Sequence, residues 1–232
     1  GIAHEIKNPL AAMKIHLQLL RKAFRSKGSL TEEMAERYLS VLDEEIDHLN
    51  TIAVDFLFAV RPMDIELMLG SINDVIMDLV TFLSPEANEK RIEVRTDLEK
   101  FLPRVELDAR YMRQSLLNIV ENAFSAMPGG GTLTISTKLT GDYVTLCIRD
   151  TGTGIDPEHL EKIFEPYFTT KASGTGLGLT VVYKVIKEHH GDIFVSSEMG
   201  KGTVFTIKLP VPQSQRKALE DKEDGNGFTI DR

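Results

Sequence analysis

Apolar residues recur at alternating intervals of three and four in two stretches near the start of the chain. The first runs through Ala3, Ile6, Leu10, Met13, Leu17, Leu20 and Phe24, the second through Ala35, Leu39, Leu42, Ile46, Leu49, Ala53, Phe56 and Val60. This spacing draws one narrow apolar seam along each of two helices. Between them, Ser26-Lys27-Gly28-Ser29 has turn composition, and Thr31 followed by Glu32 and Glu33 suits a capped helix start. The prediction is a helical hairpin. Two narrow seams bury little alone, so a symmetric dimer forming a four-helix bundle is expected, with packing against a later helix as the alternative. Arg61-Pro62 stops the second helix, and the pattern then changes.

Beyond residue 62 the elements are mixed. Residues 71–83 read as a helix capped by Ser71 and ended by Pro85, and 91–96 alternate like a short strand. Residues 108–127 form a strong amphipathic pattern with an Asp108 cap, stopped by Pro128 and the glycines after it. Residues 132–139 and 143–149 alternate on either side of Thr140-Gly141-Asp142, a hairpin. Residues 177–190 read as a helix closed by Gly191; 192–196 and 203–209 make a second hairpin around Gly200-Lys201-Gly202. From Pro210 onward the chain is polar and aperiodic, so a loose tail is expected. The expected fold is therefore an all-α hairpin over 1–61, then an α+β two-layer sandwich over 62–210 with helices on one face of a mainly antiparallel sheet, and a flexible tail over 211–232.

Composition changes this picture little. A net charge of −8 without a dense Lys/Arg stripe argues against a general nucleic-acid binder. The single cysteine, Cys147, rules out an intramolecular disulfide. No apolar run reaches membrane-spanning length. The chain opens with Gly1 rather than Met and a strong motif follows at once, so it reads as a cytoplasmic piece of a longer protein; membrane attachment, if there is any, would lie in a missing N-terminal part.

Three constellations carry chemistry. The first is His4-Glu5-Ile6-Lys7-Asn8-Pro9. His4 lies beside the seam, where a neutral imidazole is both a base and a competent nucleophile for phosphorus. Glu5 can accept the ring proton or hold the tautomer. Asn8, one turn from His4, can orient a water or a phosphoryl oxygen. Pro9 removes the hydrogen bond to the Glu5 carbonyl and kinks the helix there. The second is Asn118 and Asn122, four apart and so on one helical face, where amide oxygens and water suit Mg2+. A merely polar helix face is the competing reading. The third is the stretch from Asp150 to Leu179, reading DTGTGI, IFEPYFTTK and GTGLGL. Asp150 at a strand end can accept from an adenine amino group, and Gly152 and Gly154 let backbone approach the base. Gly174, Gly176 and Gly178 lead into a helix whose N-terminal amides can meet phosphates, with Lys171 as the nearest cation. The residues between are long enough for a mobile lid, which Phe164 and Phe168 either anchor or leave for the core.

In this order the motifs resemble the transmitter region of two-component sensor histidine kinases, over residues 1–210. His4 to Pro9 is similar to the phosphoacceptor motif, Asn118 to Ala123 to the asparagine motif and Asp150 to Ile155 to the first glycine motif. Phe164 to Lys171 and Gly174 to Leu179 are similar to the phenylalanine and second glycine motifs. The wording NAFSAMPGGG and PYFTTK looks most like the nitrogen-regulatory (NtrB-like) branch. The resemblance implies a dimeric domain carrying a phosphorylated His4, with Glu5 as base and Asn8 positioning water for dephosphorylation of the regulator. It also implies a GHKL-type domain binding ATP and Mg2+. There Asn122 would be the metal ligand and Asn118 a phosphate or metal contact. Asp150, Gly152, Gly154, Ile155, Lys171, Thr175, Gly176, Leu177 and Gly178 would line the nucleotide site. ATP-hydrolysing relatives of this fold carry a glutamate where Asn118 stands, so phosphate would pass to protein rather than water. Thr151 departs from the usual Asn, and Phe124, Ser125 and Ala126 from a basic residue and Tyr. The helix before His4 is almost absent.

These implications amount to ATP:protein-histidine phosphotransfer followed by transfer to an aspartate of a response regulator receiver domain, with domain repositioning between the steps. A nucleotide-gated scaffold, an ATP-hydrolysing machine and a phosphatase-dominant regulator share the fold. The scaffold would not need His4, the ATP-hydrolysing machine needs a water-activating carboxylate, against which Asn118 argues, and the phosphatase-dominant regulator depends on Asn8 more than on ATP.

Overall fold

The computed structural model describes residues 2–25, 31–60, 63–171 and 174–215 of the 232-residue chain. The expected turn at 26–29, the stop at Arg61-Pro62 and most of the tail lie outside the described residues. The chain divides into two units, Gly1–Met63 with Pro166–Leu177, and Asp64–Glu165 with Gly178–Arg232. Among the described residues no helix is long and apolar enough to cross a membrane.

In the first unit, α1 (Ile2–Arg25) and α2 (Glu32–Val60) pack on each other as a hairpin. Thr31 caps α2, its hydroxyl accepting from Met34 N at 3.2 Å. Met13 and Leu20 of the first seam and Ala35, Leu42 and Leu49 of the second are half-buried. Leu10, Leu17 and Leu39 stay 50%, 48% and 46% exposed, and Phe24 reaches 78%. One hairpin therefore leaves part of both seams open, as expected of half a bundle.

The second unit contains β1 (Met68–Gly70), α3 (Ile72–Glu89), β2 (Ile92–Leu98), β3 (Val105–Leu107) and α4 (Ala109–Ala126). After these come β4 (Gly131–Thr140), β5 (Tyr143–Asp150), α5 (Pro157–Leu160), α6 (Gly178–Glu188), β6 (Asp192–Glu198) and β7 (Gly202–Pro210). Five strands form one sheet in the order β2-β4-β5-β7-β6; only β2 and β4 are parallel. Its period-two alternation sends Ile135, Ile148, Phe205 and Val195 to one face in a single cross-strand row. That face is covered by α3, α4 and α6, whose Ile76, Leu79, Met112, Leu116, Ile119, Val182 and Val185 are buried. β1 and β3 pair separately and were not expected, because three-residue strands carry too little alternation to read.

Three expectations are corrected. Pro85 does not end α3, which runs on to Glu89. The missing Pro85 N–H would have met the Thr81 carbonyl, and the Ser84 hydroxyl donates to that oxygen instead at 3.0 Å. The helix after the second glycine motif ends at Glu188, and the left-handed residue that closes it is His190 (φ 56°), not Gly191. His190 N donates to the Lys187 carbonyl and Gly191 N to that of Ile186, a Schellman pattern. The loose tail does not start at Pro210. Pro210 ends β7 opposite Tyr143, and Val211 is buried, donating to the Asp142 carbonyl at 2.9 Å.

Candidate functional site

Asp150 is the last residue of β5 and 5% exposed, on the helix-covered face. Its Oδ1 accepts from Gly152 N at 2.8 Å and Thr203 N at 3.2 Å. Burial pushes its pKa above the ordinary aspartate range, against the pull of those two N–H groups. The chain after it is held from two sides. Thr153 N donates to the Ala126 carbonyl at the end of α4, and Ile155 N donates to Ser197 Oγ on β6 at 2.8 Å. At Gly152 a Cβ would lie 2.6 Å from the Ala126 carbonyl oxygen; at Gly154 (φ 75°) it would strike the Glu198 carbonyl. The glycines thus admit the protein's own backbone. Thr151 uses its hydroxyl to accept from Thr132 N at 3.0 Å, fixing the start of β4.

Helix α4 joins this loop to the second glycine motif. Asn118 is 8% exposed; its Nδ2 donates to the Gly178 carbonyl at 3.2 Å, and its Oδ1 accepts from Gln114 at 3.2 Å. Asn122 is half-buried one turn further on. So α4 meets Gly178 at its middle and Gly152-Thr153 at its end. Among the described residues no group of three or more His, Cys, Asp or Glu side chains could hold a metal. Asn122 offers an amide oxygen, and amide oxygen, water and a ligand's own oxygens are donors that suit Mg2+. Gln114, Ser197 and Thr203 were not singled out; Ser197 and Thr203 meet partners 42 and 53 residues away, a distance no local pattern reports, whereas Gln114 pairs with Asn118 one turn on.

Lys171, Thr175, Gly176 and Leu177 fall in Pro166–Leu177, which goes with the helical unit. Within that segment Tyr167 N donates to the Gly176 carbonyl at 3.0 Å and Leu177 N to Thr175 Oγ1 at 3.3 Å. Just before it, Phe164 is fixed on α6, its carbonyl accepting from Thr180 Oγ1 at 3.1 Å and its ring 5.6 Å from that of Tyr183. Phe164 itself lies outside that segment. The backbone places His4, Glu5 and Asn8 in α1, with Pro9 inside the helix. Asn8 is exposed. The expectations for the His4 and Glu5 side chains lie outside the described residues.

Two families match this chain. Residues 1–63 match the His Kinase A (phospho-acceptor) domain, and residues 107–213 the histidine kinase-, DNA gyrase B- and HSP90-like ATPases. The chain belongs to the histidine kinase family. Its histidine kinase relatives include the sensor histidine kinase ZraS of Salmonella typhi, 40% identical over 93% of this chain and 46% of that protein. Sporulation kinase E of Bacillus subtilis is 37% identical over 96% of this chain and 29% of that protein. Among solved structures, the histidine kinase ThkA in complex with the response regulator protein TrrA superposes with a TM-score of 0.75 at 27% identity, over 93% of this chain and 61% of that one. The chain spans less than half the length of these two curated relatives.

Proposed function

We propose that this chain is the transmitter of a sensor histidine kinase, moving the γ-phosphoryl group of Mg-ATP to His4 and then to an aspartate of a response regulator. The observation that carries the reading is the double attachment of α4, to Gly178 through Asn118 and to the first glycine loop through Ala126. One helix thereby links both glycine motifs, as a nucleotide site between them requires.

Asp150 recognises adenine. Its Oδ1 is held by Gly152 and Thr203, and Oδ2 is the atom assigned to the adenine amino group. Its ionised form, disfavoured by burial, gains a donor when the base enters. Gly152, Gly154 and Ile155 form the floor under the base; Thr175, Gly176, Leu177 and Gly178 offer amides to the phosphates. Asn122 would hold Mg2+, which when bound neutralises phosphate charge; Asn118 orients the chain of phosphate oxygens from the same helix face. Lys171 meets the terminal phosphate. In the transfer the bond from γ-phosphorus to the ADP oxygen breaks, a bond to a ring nitrogen of His4 forms, and Glu5 takes the ring proton. In the second step the P–N bond breaks and the aspartate of the regulator receives the phosphoryl group. Asn8, exposed on α1, orients water when the same protein dephosphorylates its regulator. The open seams of α1 and α2 support a homodimer through residues 1–60, and the cytoplasm supplies ATP and partner. Kinship with ThkA, solved with its response regulator, supports that partner class.

Incubation with labelled Mg-ATP should give acid-labile, alkali-stable phosphate that His4→Gln abolishes. Bound ATP without label would favour a nucleotide-gated scaffold or a phosphatase, and neither binding nor label would sink the pocket assignment.

A further inference from the structure

His189 follows α6 directly and is 1% exposed. Its Nε2 lies 2.9 Å from the backbone N of Asp108, and its Nδ1 2.7 Å from the Val185 carbonyl oxygen. An N–H can only donate, so Nε2 must be the bare nitrogen and Nδ1 the protonated one that donates to Val185. The ring is neutral and its tautomer fixed. Burial lowers its pKa below the usual histidine range, opposed by the Val185 carbonyl and Asp108 and assisted by His190.

The partner is a junction. Asp108 is the N-cap of α4, and its carboxylate accepts from Arg110 N at 3.0 Å, from the Arg110 guanidinium at 3.0 and 3.3 Å, and from Glu66 N at 3.2 Å. Glu66 stands just after the boundary between the two units, at Met63 and Asp64. At the other end of the helix pair, Asn118 bonds the Gly178 carbonyl. The two contacts pair 108 with 189 and 118 with 178, so α4 and α6 run antiparallel. At 1.5 Å per residue the intervening lengths are both about 15 Å. Two ties one rod-length apart fix sliding and angle together, whereas the Asn118 tie alone leaves a pivot.

Resting on the reading of α4 and α6 as the nucleotide-binding pair, we infer that His189 is a positioning residue for ATP binding: it pins the far end of α6 to the cap of α4, so that the second glycine motif meets Asn118 in one register. It touches no nucleotide itself. The titratable and charged groups bearing on its ring are Asp108 and His190, with Arg110 and Glu66 acting through Asp108.

The test measures Mg-ATP affinity of the full chain between pH 5.5 and 8 for wild type, His189→Gln and His189→Leu. Amide exchange at Asp108 is followed in parallel. Gln can still accept from Asp108 N but cannot titrate; Leu leaves that N–H buried and unpaired. The expected loss for His189→Leu at pH 7.5 is about ten-fold in affinity with faster exchange at Asp108, while Gln stays within about three-fold. The ratio of wild-type to Gln affinity should fall only below the ordinary histidine range, as the pH approaches the lowered pKa of the folded ring. Wild-type affinity and exchange in the Leu variant would overturn the inference, as would equal losses in Leu and Gln. Should the Leu variant fail to fold, His189→Asn, whose shorter amide cannot reach Asp108 N, takes its place, and wild-type affinity and exchange there refute the pin. A wild-type chain that binds no Mg-ATP refutes the parent reading and this one with it.

Discussion

Replacing Gly152 with alanine tests the closest contact in the first glycine loop. The added Cβ would stand 2.6 Å from the Ala126 carbonyl oxygen, 2.7 Å from the Ala126 Cβ and 2.9 Å from its carbonyl carbon. None of these atoms can rotate aside, since they belong to the last turn of α4. Relief requires loop and helix to part by roughly 0.5–1 Å to reach ordinary contact distance. The Thr153 N–H bond to that same carbonyl, now 3.0 Å, would then stretch past useful length. Overpacking of this kind costs about 1–3 kcal/mol, and the lost hydrogen bond adds about 1 kcal/mol. For a unit of this size 1 kcal/mol moves the melting temperature by roughly 2–4 °C, so a drop on the order of 5–12 °C is expected. Gly129→Ala is the control, because nothing lies within 4 Å of a Cβ there. Thermal melts by circular dichroism and Mg-ATP affinity would be read on both variants. If Gly152→Ala melts and binds like Gly129→Ala, the close approach of the loop to α4 is wrong, and with it the claim that α4 organises both glycine motifs.

Further expectations concern stability and assembly. Asp108 and His189 both have lowered pKa values. For Asp108 burial pushes upward but is outweighed by Arg110 and the backbone N–H groups of Glu66, Arg110 and Tyr111; for His189 burial is the main cause. A group with a depressed folded pKa contributes stability above its unfolded value and loses it as the pH falls through the folded one. The Asp64–Glu165 and Gly178–Arg232 unit should therefore melt lower below about pH 6.5 as His189 is called on to protonate, and lower again below about pH 4 for Asp108. Melts across pH in wild type and His189→Gln check this: the first step should vanish in the variant. Ser84→Ala should cost about 0.5–1 kcal/mol in urea denaturation by leaving the Thr81 carbonyl without its donor, whereas Pro85→Ala should cost nothing. Leu17→Lys places a charge on the open seam of α1, and sedimentation should show a dimer that dissociates at concentrations where wild type stays associated; an unchanged dimer would move the interface elsewhere.

What the sequence made legible depended on how far each constraint reaches along the chain. The seams of α1 and α2, the Ser71, Asp108 and Thr31 caps and the two hairpins are set by neighbours a few residues apart, and periodicity reports those directly. The motif residues stand out because glycine runs and paired asparagines are conspicuous. At Gly152 and Gly154 the sequence suggested approach to a base; that Ala126 and Glu198 also crowd both positions comes only from the fold. Pro85 misled because local cost is not the whole account. Its cost as a helix breaker is fixed locally, yet the Ser84 hydroxyl cancels part of it and buried Leu79, Leu83 and Ala87 carry the helix past it. His189 stands at the limit of such reading. The sequence places it without distinction in the last turn of a helix, and only the fold brings it to Asp108, 81 residues away. A buried neutral imidazole that accepts a helix cap's N–H has no local signature, because both its acceptor role and its protonation state are set by a partner that folding delivers.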